Sequence, residues 1–171
     1  MASTPKEELQ EKRQAQLLAC AKAAAKLAKH RDIKPILAGH VIHDLEIRRV
    51  LDTVVRRWTL MVETSFVSAA AANPRGGKPH REHIVPIRVL VDRMIMRPSQ
   101  CRALLETAVI IANVTPREHR KLGGIFTHFK KLYRRMLKAP VSELPRLGRK
   151  RYTAKRIRLR RTIRSRRGVR A

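Results

Sequence analysis

The sequence predicts a mainly α-helical protein of the α+β class, with a small β element and a basic C-terminal tail. Apolar residues recur at intervals of three and four through most of the chain, which is the spacing of helices that pack on a core. One short run is β-branched enough to predict a strand, and the C-terminal segment contains many cations but no acid. With 171 residues, of which 43% are hydrophobic, the chain can form one domain or at most two small lobes.

The N-terminal region, residues 1–39, is predicted to be one helix followed by a linker. Thr4 is a hydroxyl N-cap, Pro5 suits the first helical position, and Glu7 completes a capping box. Alanine-rich sequence extends the helix to about His30. The apolar stripe of this helix is thin, so we expect it to pack loosely on the body of the protein or on a partner. The stripe consists of Leu9, Leu17, Leu18 and Leu27.

Residues 40–138 are predicted to form a helical core, which begins with a helix over residues 40–72. Its apolar positions follow the helical spacing and are expected to face inward. The opposite side carries an arginine face, which is expected to be exposed. The members of this face are Arg48, Arg49, Arg56 and Arg57. Two prolines and two glycines in residues 73–79 predict the turn that ends the helix.

The middle of the chain alternates between extended and helical patterns. Residues 80–86 predict a short extended segment whose last residue, a proline, can open a helix over residues 86–96. A short helix over residues 99–106 and a β-branched strand over residues 108–114 are expected to follow. Residues 115–118 repeat the hydroxyl, proline and glutamate pattern of a helix start, so we expect another helix directly after the strand.

Residues 125–138 predict a basic amphipathic helix, and residues 139–171 predict an arginine-rich tail. From Arg146 to the C-terminus there are eleven arginines, two lysines and no acid, and charges so arranged repel one another unless a polyanion neutralises them. Because the formal net charge is +27, we expect that polyanion to be nucleic acid, either DNA or RNA. The candidate nucleic-acid-binding residues are Lys130, Lys131, Arg134, Arg135, Arg149, Lys150, Arg151, Lys155, Arg156, Arg158, Arg160, Arg161, Arg164, Arg166 and Arg167.

Composition also argues against several classes of protein. Aromatic residues make up only 4% of the chain, which disfavours modules that stack single-stranded bases on aromatic platforms. Cys20 and Cys101 are expected to be free, buried thiols in a reducing compartment. The sequence contains neither a membrane-span pattern nor a signal-peptide pattern, so we expect a soluble intracellular protein of the cytoplasm, the nucleoid or an organelle matrix.

One segment suggests chemistry. Arg81-Glu82-His83-Ile84-Val85-Pro86 resembles the first half of the HNH (ββα-metal) endonuclease motif, and Asn113 and His119 resemble its second half. The resemblance covers roughly residues 79–122 and implies an HNH-like ββα core with helical additions. It would make His83 the general base and Asn113 the residue that orients it. Glu82 and His119 would hold a divalent metal, Mg²⁺ or Mn²⁺, for phosphodiester hydrolysis.

This segment also departs from the HNH pattern and has simpler interpretations. The motif has Glu where Asp is usual, about thirty residues separate its halves, and Cys-x-x-Cys knuckles are absent. His83 could instead be a structural histidine, Glu82 the ion-pair partner of an arginine, and Asn113 the end of a strand. His119 could be an exposed phosphate contact. His40 and His43, spaced three apart, are a weak candidate for a metal pair.

Two functional hypotheses therefore remain open. In the first, residues 79–122 form an HNH-like metal-dependent nuclease site supplied by a basic surface. In the second, the chain is a non-enzymatic binder, such as an RNA-binding component of a ribonucleoprotein or ribosome-associated assembly, with other proteins of that assembly as further partners. The highly basic C-terminal segment favours the second hypothesis, and the paired motif halves favour the first.

Overall fold

The computed structural model describes residues 4–31, 45–73, 75, 77–123 and 129–162. These residues form a mainly helical protein with a small four-stranded mixed sheet, which agrees with the predicted α+β class. Among them, no helix combines the length and the apolar character that crossing a membrane requires.

Helix α1, Pro5–His30, begins as predicted, because Thr4 and Glu7 form a complete capping box. The predicted apolar stripe is confirmed in part. Leu17 and Leu18 are partly buried and pack against the core. Leu9, however, is 50% exposed and Leu27 is 42% exposed. Three alanines are instead fully buried where α1 packs on the next two helices, since small side chains let helix axes approach closely. These residues are Ala21, Ala25 and Ala28.

Helix α2, Leu45–Leu60, keeps the predicted apolar stripe but ends twelve residues before the predicted end at residue 72. Strand β1, Thr64–Ser68, follows it directly. The sequence Thr-Ser-Phe-Val-Ser suits a strand because β-branched and aromatic side chains favour extended backbone. Residues 40–44 of the predicted helix lie outside the described residues.

The sheet has the order β2-β3-β1-β4. Strands β2, His80–His83, and β3, Ile111–Val114, lie within the predicted extended segments and pair antiparallel. Strand β3 runs parallel to β1, and the edge strand β4, Leu159–Arg161, runs antiparallel to β1. Neither β1 nor β4 was predicted from the sequence.

Helix α3, Ile87–Met96, is opened by the proline at position 86, as predicted. The short helix predicted after it is divided into a 3-10 turn Pro98–Gln100, one α-helical turn α4, Cys101–Ala103, and a π-helical turn Leu104–Ala108. Cys101 is buried and free, whereas Cys20 is free but exposed, so only one of the two thiols is buried as predicted.

Helix α5, Pro116–Leu122, confirms the second predicted helix start. Thr115 accepts a hydrogen bond from the backbone N–H of Glu118, whose carboxylate accepts one from the backbone N–H of Thr115. This reciprocal pair is a capping box, as in α1. Helix α6, Lys130–Lys138, agrees with the end of the helix predicted over residues 125–138, while residues 124–128 lie outside the described residues.

Residues 144–161, which were predicted to belong to a tail, are folded onto the core. After a 3-10 turn Val141–Glu143, helix α7, Leu144–Ala154, is followed by β4. The fold of this basic segment is explained by its apolar residues, which are spaced to reach the core and are buried there. The buried apolar residues are Leu144, Leu147, Tyr152 and Ile157.

The sheet has helices on both faces. Arg81 and His83 of β2 form hydrogen bonds to Thr59 of α2 on one face. On the other face, Ala112 and Val114 of β3 share a small apolar cluster with Leu122 of α5 and Tyr152 of α7. The larger core lies among α1, α2, α3 and α6.

A buried charged network ties three helices together and corrects one further prediction. Arg48, predicted on the exposed face of α2, is only 8% exposed and forms an ion pair with the fully buried Asp92 of α3. Tyr133 of α6 donates a hydrogen bond to the same carboxylate. Burial, and next to it Asp92, raise the pKa of Tyr133, so the phenol remains a donor.

Candidate nucleic-acid interface

The short strand β2 separates the predicted catalytic residues. Successive side chains of a strand point to opposite faces, and in the register of β2 with β3 Glu82 pairs with Ala112 while His83 pairs with Ile111. Glu82 therefore lies on the face covered by α5 and α7, whereas His83 faces α2. The adjacency that made Glu82-His83 resemble a motif places the two side chains on different sides of the sheet.

Glu82 and His119 meet on the α5 side of the sheet. Nδ1 of His119, in the last turn of α5, lies 2.7 Å from Oε2 of Glu82. The other carboxylate oxygen, Oε1, lies 3.4 Å from a guanidinium nitrogen of Arg151 in α7. Glu82 thus contacts both α5 and α7, the two helices that cover this face. Its contact with Arg151 is an ion pair with an arginine, as in the simpler interpretation of Glu82 from the sequence.

The imidazole of His119 is half exposed and also contacts His80. The two rings are stacked with their centroids 5.2 Å apart and an interplanar angle of 17°. Because the side chain of His119 is 48% exposed, it remains open to solvent and to ligands on one side. The structure therefore places His119 at the surface, tethered to the sheet by Glu82.

His83 has the environment of a structural histidine. Its Nε2 lies 2.7 Å from the hydroxyl of Thr59, and that hydroxyl donates its only proton to the carbonyl of Val55. Nε2 of His83 is therefore the donor in the contact with Thr59. Burial, followed by the positive charges of Arg56 and Arg81, lowers the pKa of His83 to about 4. A base with so low a pKa accepts a proton poorly near neutral pH.

Asn113 does not orient His83. Its side-chain oxygen accepts a hydrogen bond from the Thr64 hydroxyl at 3.5 Å, across the pairing of β3 with β1. The predicted set is thus divided into Glu82 with His119 on one face, and His83 and Asn113 with separate partners on the other. The convergence of His83 with His119 that HNH chemistry requires is not formed.

A divalent metal fits Glu82 and His119 poorly. The carboxylate is already shared between an imidazole and the buried guanidinium of Arg151, whose positive charge opposes a cation at the same oxygens. Within the described ranges, no group of three or more His, Cys, Asp or Glu side chains is arranged to hold a metal ion. His40 and His43 lie outside the described residues.

A groove with a volume of about 950 Å³ lies between α7, β4 and the connection that joins them. We call it the basic groove. Six of its ten lining residues are cations and none is an acid. The lining residues are Arg146, Arg149, Lys150, Tyr152, Thr153, Arg156, Ile157, Arg158, Leu159 and Arg160.

The helical period of α7 decides which of its cations reach the basic groove. Residues 147, 148, 151 and 152 are buried, so Arg149 and Lys150 face outward. Arg151 was predicted to bind nucleic acid, but it is only 3% exposed. Its guanidinium donates to the backbone carbonyls of Leu122 and His83 as well as to Glu82, so this prediction was wrong.

Most of the other residues predicted to bind nucleic acid are exposed cations. Those on α6 face outward, opposite its buried Tyr133, Met136 and Leu137. The exposed members are Lys130, Lys131, Arg134, Arg135, Arg156, Arg158, Arg160 and Arg161. Lys155 is half-buried, with its ammonium 5.5 Å from the centre of the Phe129 ring. Arg164, Arg166 and Arg167 lie outside the described residues.

Comparison with models of known protein families, with curated proteins and with solved structures gives no match.

Two contributors to the groove region were missed in the sequence. Arg146 lines the basic groove and forms an ion pair with Glu143 at 3.3 Å. Phe66 of β1 lies beneath Arg149, with the guanidinium carbon 5.7 Å from the ring centre. The three-residue spacing from Arg146 to Arg149 could have placed Arg146 on the outward side of a helix, but no sequence signal connects Phe66 with Arg149.

Proposed function

We propose that this protein binds nucleic acid through the phosphate backbone without cleaving it, as a component of a nucleoprotein assembly. The observation that carries the proposal is the basic groove, in which six cations face one open space and no acid lines it. Like charges gathered in this way repel one another and are stabilised when a polyanion enters. A ribonucleoprotein or ribosome-associated assembly inside the cell, whether in the cytoplasm, the nucleoid or an organelle matrix, suits this chemistry best.

The groove favours contact with phosphates over contact with bases. Five of its six cations are arginines, whose planar fork matches two phosphate oxygens at once. Tyr152, the aromatic residue among the lining residues, is 1% exposed, so its ring is not available to stack on a base. Recognition through charge and backbone shape, with little preference for sequence, follows from these two facts.

Binding to short DNA and RNA duplexes should therefore depend strongly on salt. If all six groove cations contact duplex phosphates, the slope of log K against log salt concentration is expected to be about −5. Fluorescence anisotropy between about 50 and about 200 mM salt measures this slope directly.

A triple variant tests whether the groove is the binding surface. Arg149→Ala, Lys150→Ala and Arg160→Ala together should weaken binding roughly thirtyfold or more and make the salt slope shallower by about 2.7. The control removes the same charge from exposed positions of α1, with Lys12→Ala, Arg13→Ala and Lys22→Ala. Equal losses in the two triple variants would mean that only net charge matters, and the groove would no longer be the proposed interface.

HNH-like nuclease activity is the second candidate, and the contact between Glu82 and His119 is the observation that favours it. Its test is cleavage of plasmid DNA and structured RNA with Mg²⁺ or Mn²⁺ by the wild type and by His119→Ala. We expect no cleavage by either protein, because His83 lies on the opposite face of the sheet. Metal-dependent cleavage that His119→Ala abolishes without loss of affinity would reverse the order of the two candidates.

A further inference from the structure

The connection between α7 and β4 contains the one non-glycine residue of the described chain with positive φ. Arg156 has φ of 56°, in the left-handed region. Two backbone hydrogen bonds surround it: Ile157 donates to the carbonyl of Tyr152 at 2.8 Å, and Arg156 donates to the carbonyl of Thr153 at 3.0 Å. This pair of bonds is a Schellman motif, with Arg156 at the position just beyond the helix end that glycine usually occupies.

The surrounding core holds this turn in place. The first of these hydrogen bonds joins Ile157 to Tyr152. Both residues are buried in the apolar cluster under α7. Such an apolar contact often accompanies the motif and fixes the direction in which the chain leaves the helix. The left-handed conformation at position 156 is therefore imposed by packing on both sides of it, and it strains any residue that has a Cβ.

The side chain of Arg156 contributes little to the fold. Within the described residues it forms no hydrogen bond and no ion pair, and it is exposed. Arg156 lines the basic groove. It lies in the connection between α7 and β4, which form the two walls of the groove. An arginine thus occupies a position where its backbone is strained and its side chain points toward the space proposed for phosphate.

We infer that Arg156 is a phosphate-binding residue of the basic groove that lowers the stability of the fold. This inference rests on the proposed function, because the bound group is the phosphate of a nucleic acid. Strained backbone positions persist where the surrounding structure determines them, and they are frequent at binding sites. Arg156 follows that pattern, since glycine would relieve the strain but would remove the cation.

The test measures stability and affinity together in Arg156→Gly. Relief of the left-handed strain should raise Tm by about 2–4 °C in a chain of this size. Loss of the guanidinium should weaken binding to a short RNA or DNA duplex about fivefold to tenfold and make the salt slope shallower by about 0.9. Opposite changes in stability and affinity from one substitution are the expected result.

Two further substitutions separate the backbone from the side chain. Arg156→Ala keeps the strain and loses the cation, so affinity should fall as in the glycine variant while Tm stays within about 1 °C of wild type. Arg156→Lys keeps both the strain and the charge, so Tm should stay unchanged and affinity should stay within about threefold of wild type.

The outcomes distinguish this inference from the proposed function. If Arg156→Gly raises Tm while affinity is unchanged, and the Arg149, Lys150 and Arg160 triple variant still loses binding, the groove stands and Arg156 is not one of its contacts. A fall in Tm for Arg156→Gly would overturn the claim that arginine strains this turn. Absence of salt-sensitive duplex binding by the wild type would remove the proposed function and this inference together.

Discussion

The buried arginines of the core and the exposed arginines of the basic groove carry the same charge but have different surroundings. Arg93, which is fully buried, donates to the backbone carbonyls of Leu137 and Ala139 at the end of α6, and to the side chain of Gln100. Burial lowers the pKa of Arg93, and the negative end of the α6 dipole favours its charge. In the groove, Arg156 and Arg158 face open space.

Abundance of arginine therefore does not by itself identify a nucleic-acid-binding residue. Arg149 and Arg151 are two positions apart in α7, yet one faces the groove and the other holds α7 to the sheet. The buried guanidinium of Arg151 is tolerated because two carbonyls and one carboxylate accept hydrogen bonds from its two terminal nitrogens, although its buried Nε has no partner within the described residues. The core arginines should therefore control stability, and the groove arginines should control affinity.

Removing a core arginine that pairs with a buried acid should have the largest effect on stability. Arg48→Met leaves the fully buried carboxylate of Asp92 without its guanidinium partner, and we expect a loss of about 3–5 kcal/mol in the free energy of unfolding. Urea denaturation measures the loss. The matched control is Arg49→Met on the exposed side of α2, which should change stability by less than about 0.5 kcal/mol. Similar losses in both variants would contradict the division between core and surface arginines.

Disturbing the close approach of α7 to the sheet should have the second largest effect on stability. A Cβ on Gly148 would lie 2.4 Å from the backbone carbonyl oxygen of Ile84, so α7 must move away to accommodate it. Gly148→Ala should therefore destabilise the protein by about 2–3 kcal/mol, although alanine is the better helix former. The same shift should weaken the contact between Arg151 and Glu82.

The control for this substitution is Gly123→Ala. Gly123 has φ of −60°, and a Cβ there would be 3.4 Å from its nearest neighbour, the carbonyl oxygen of Arg120. Gly123→Ala should therefore change the thermal midpoint only slightly. Thermal unfolding followed by circular dichroism compares the two variants. If Gly148→Ala is as stable as wild type, close packing of α7 does not position Arg151.

Sequence patterns predicted the elements that have strong local signals. Both capping boxes, at Thr4 and Thr115, begin helices, and the proline at position 86 opens α3. The early end of α2 was missed because the apolar residues Met61 and Val62 continue its helical spacing without forming part of the helix. In that region, pairing of β1 with β3 outweighs local periodicity.

The C-terminal segment contains a strand pattern that was overlooked because the segment is so rich in positive charge. The sequence Ile157-Arg158-Leu159-Arg160 alternates apolar and basic residues, which is the period of a strand with one buried face. Strand β4 forms there, with Ile157 buried just before it. The division of the candidate site could also have been predicted, because Glu82 and His83 are neighbours in an extended segment and must face opposite ways. The contact of Glu82 with Arg151 depends on tertiary packing and had no local signal.

Burial of His83, reinforced by the positive charges near it, should also make the stability of the fold depend on pH. In the unfolded chain this imidazole takes up a proton below its ordinary pKa of 6.5, whereas the folded protein lowers that pKa to about 4. The unfolded state therefore binds more protons between these values. The contribution of His83 to stability is complete above pH 6.5 and is lost as the pH falls toward 4.

Between about pH 7.5 and about pH 5, this linkage amounts to a loss of about 2 kcal/mol. In His83→Gln, the side-chain amide can still donate to the hydroxyl of Thr59 but does not titrate, so its stability should fall less over the same range. Urea denaturation of both proteins at the two pH values measures the difference. An equal fall in both would show that the imidazole of His83 can take up a proton in the folded state. Burial and the charges of Arg56 and Arg81 would then not hold the pKa of His83 below its ordinary value in the folded protein.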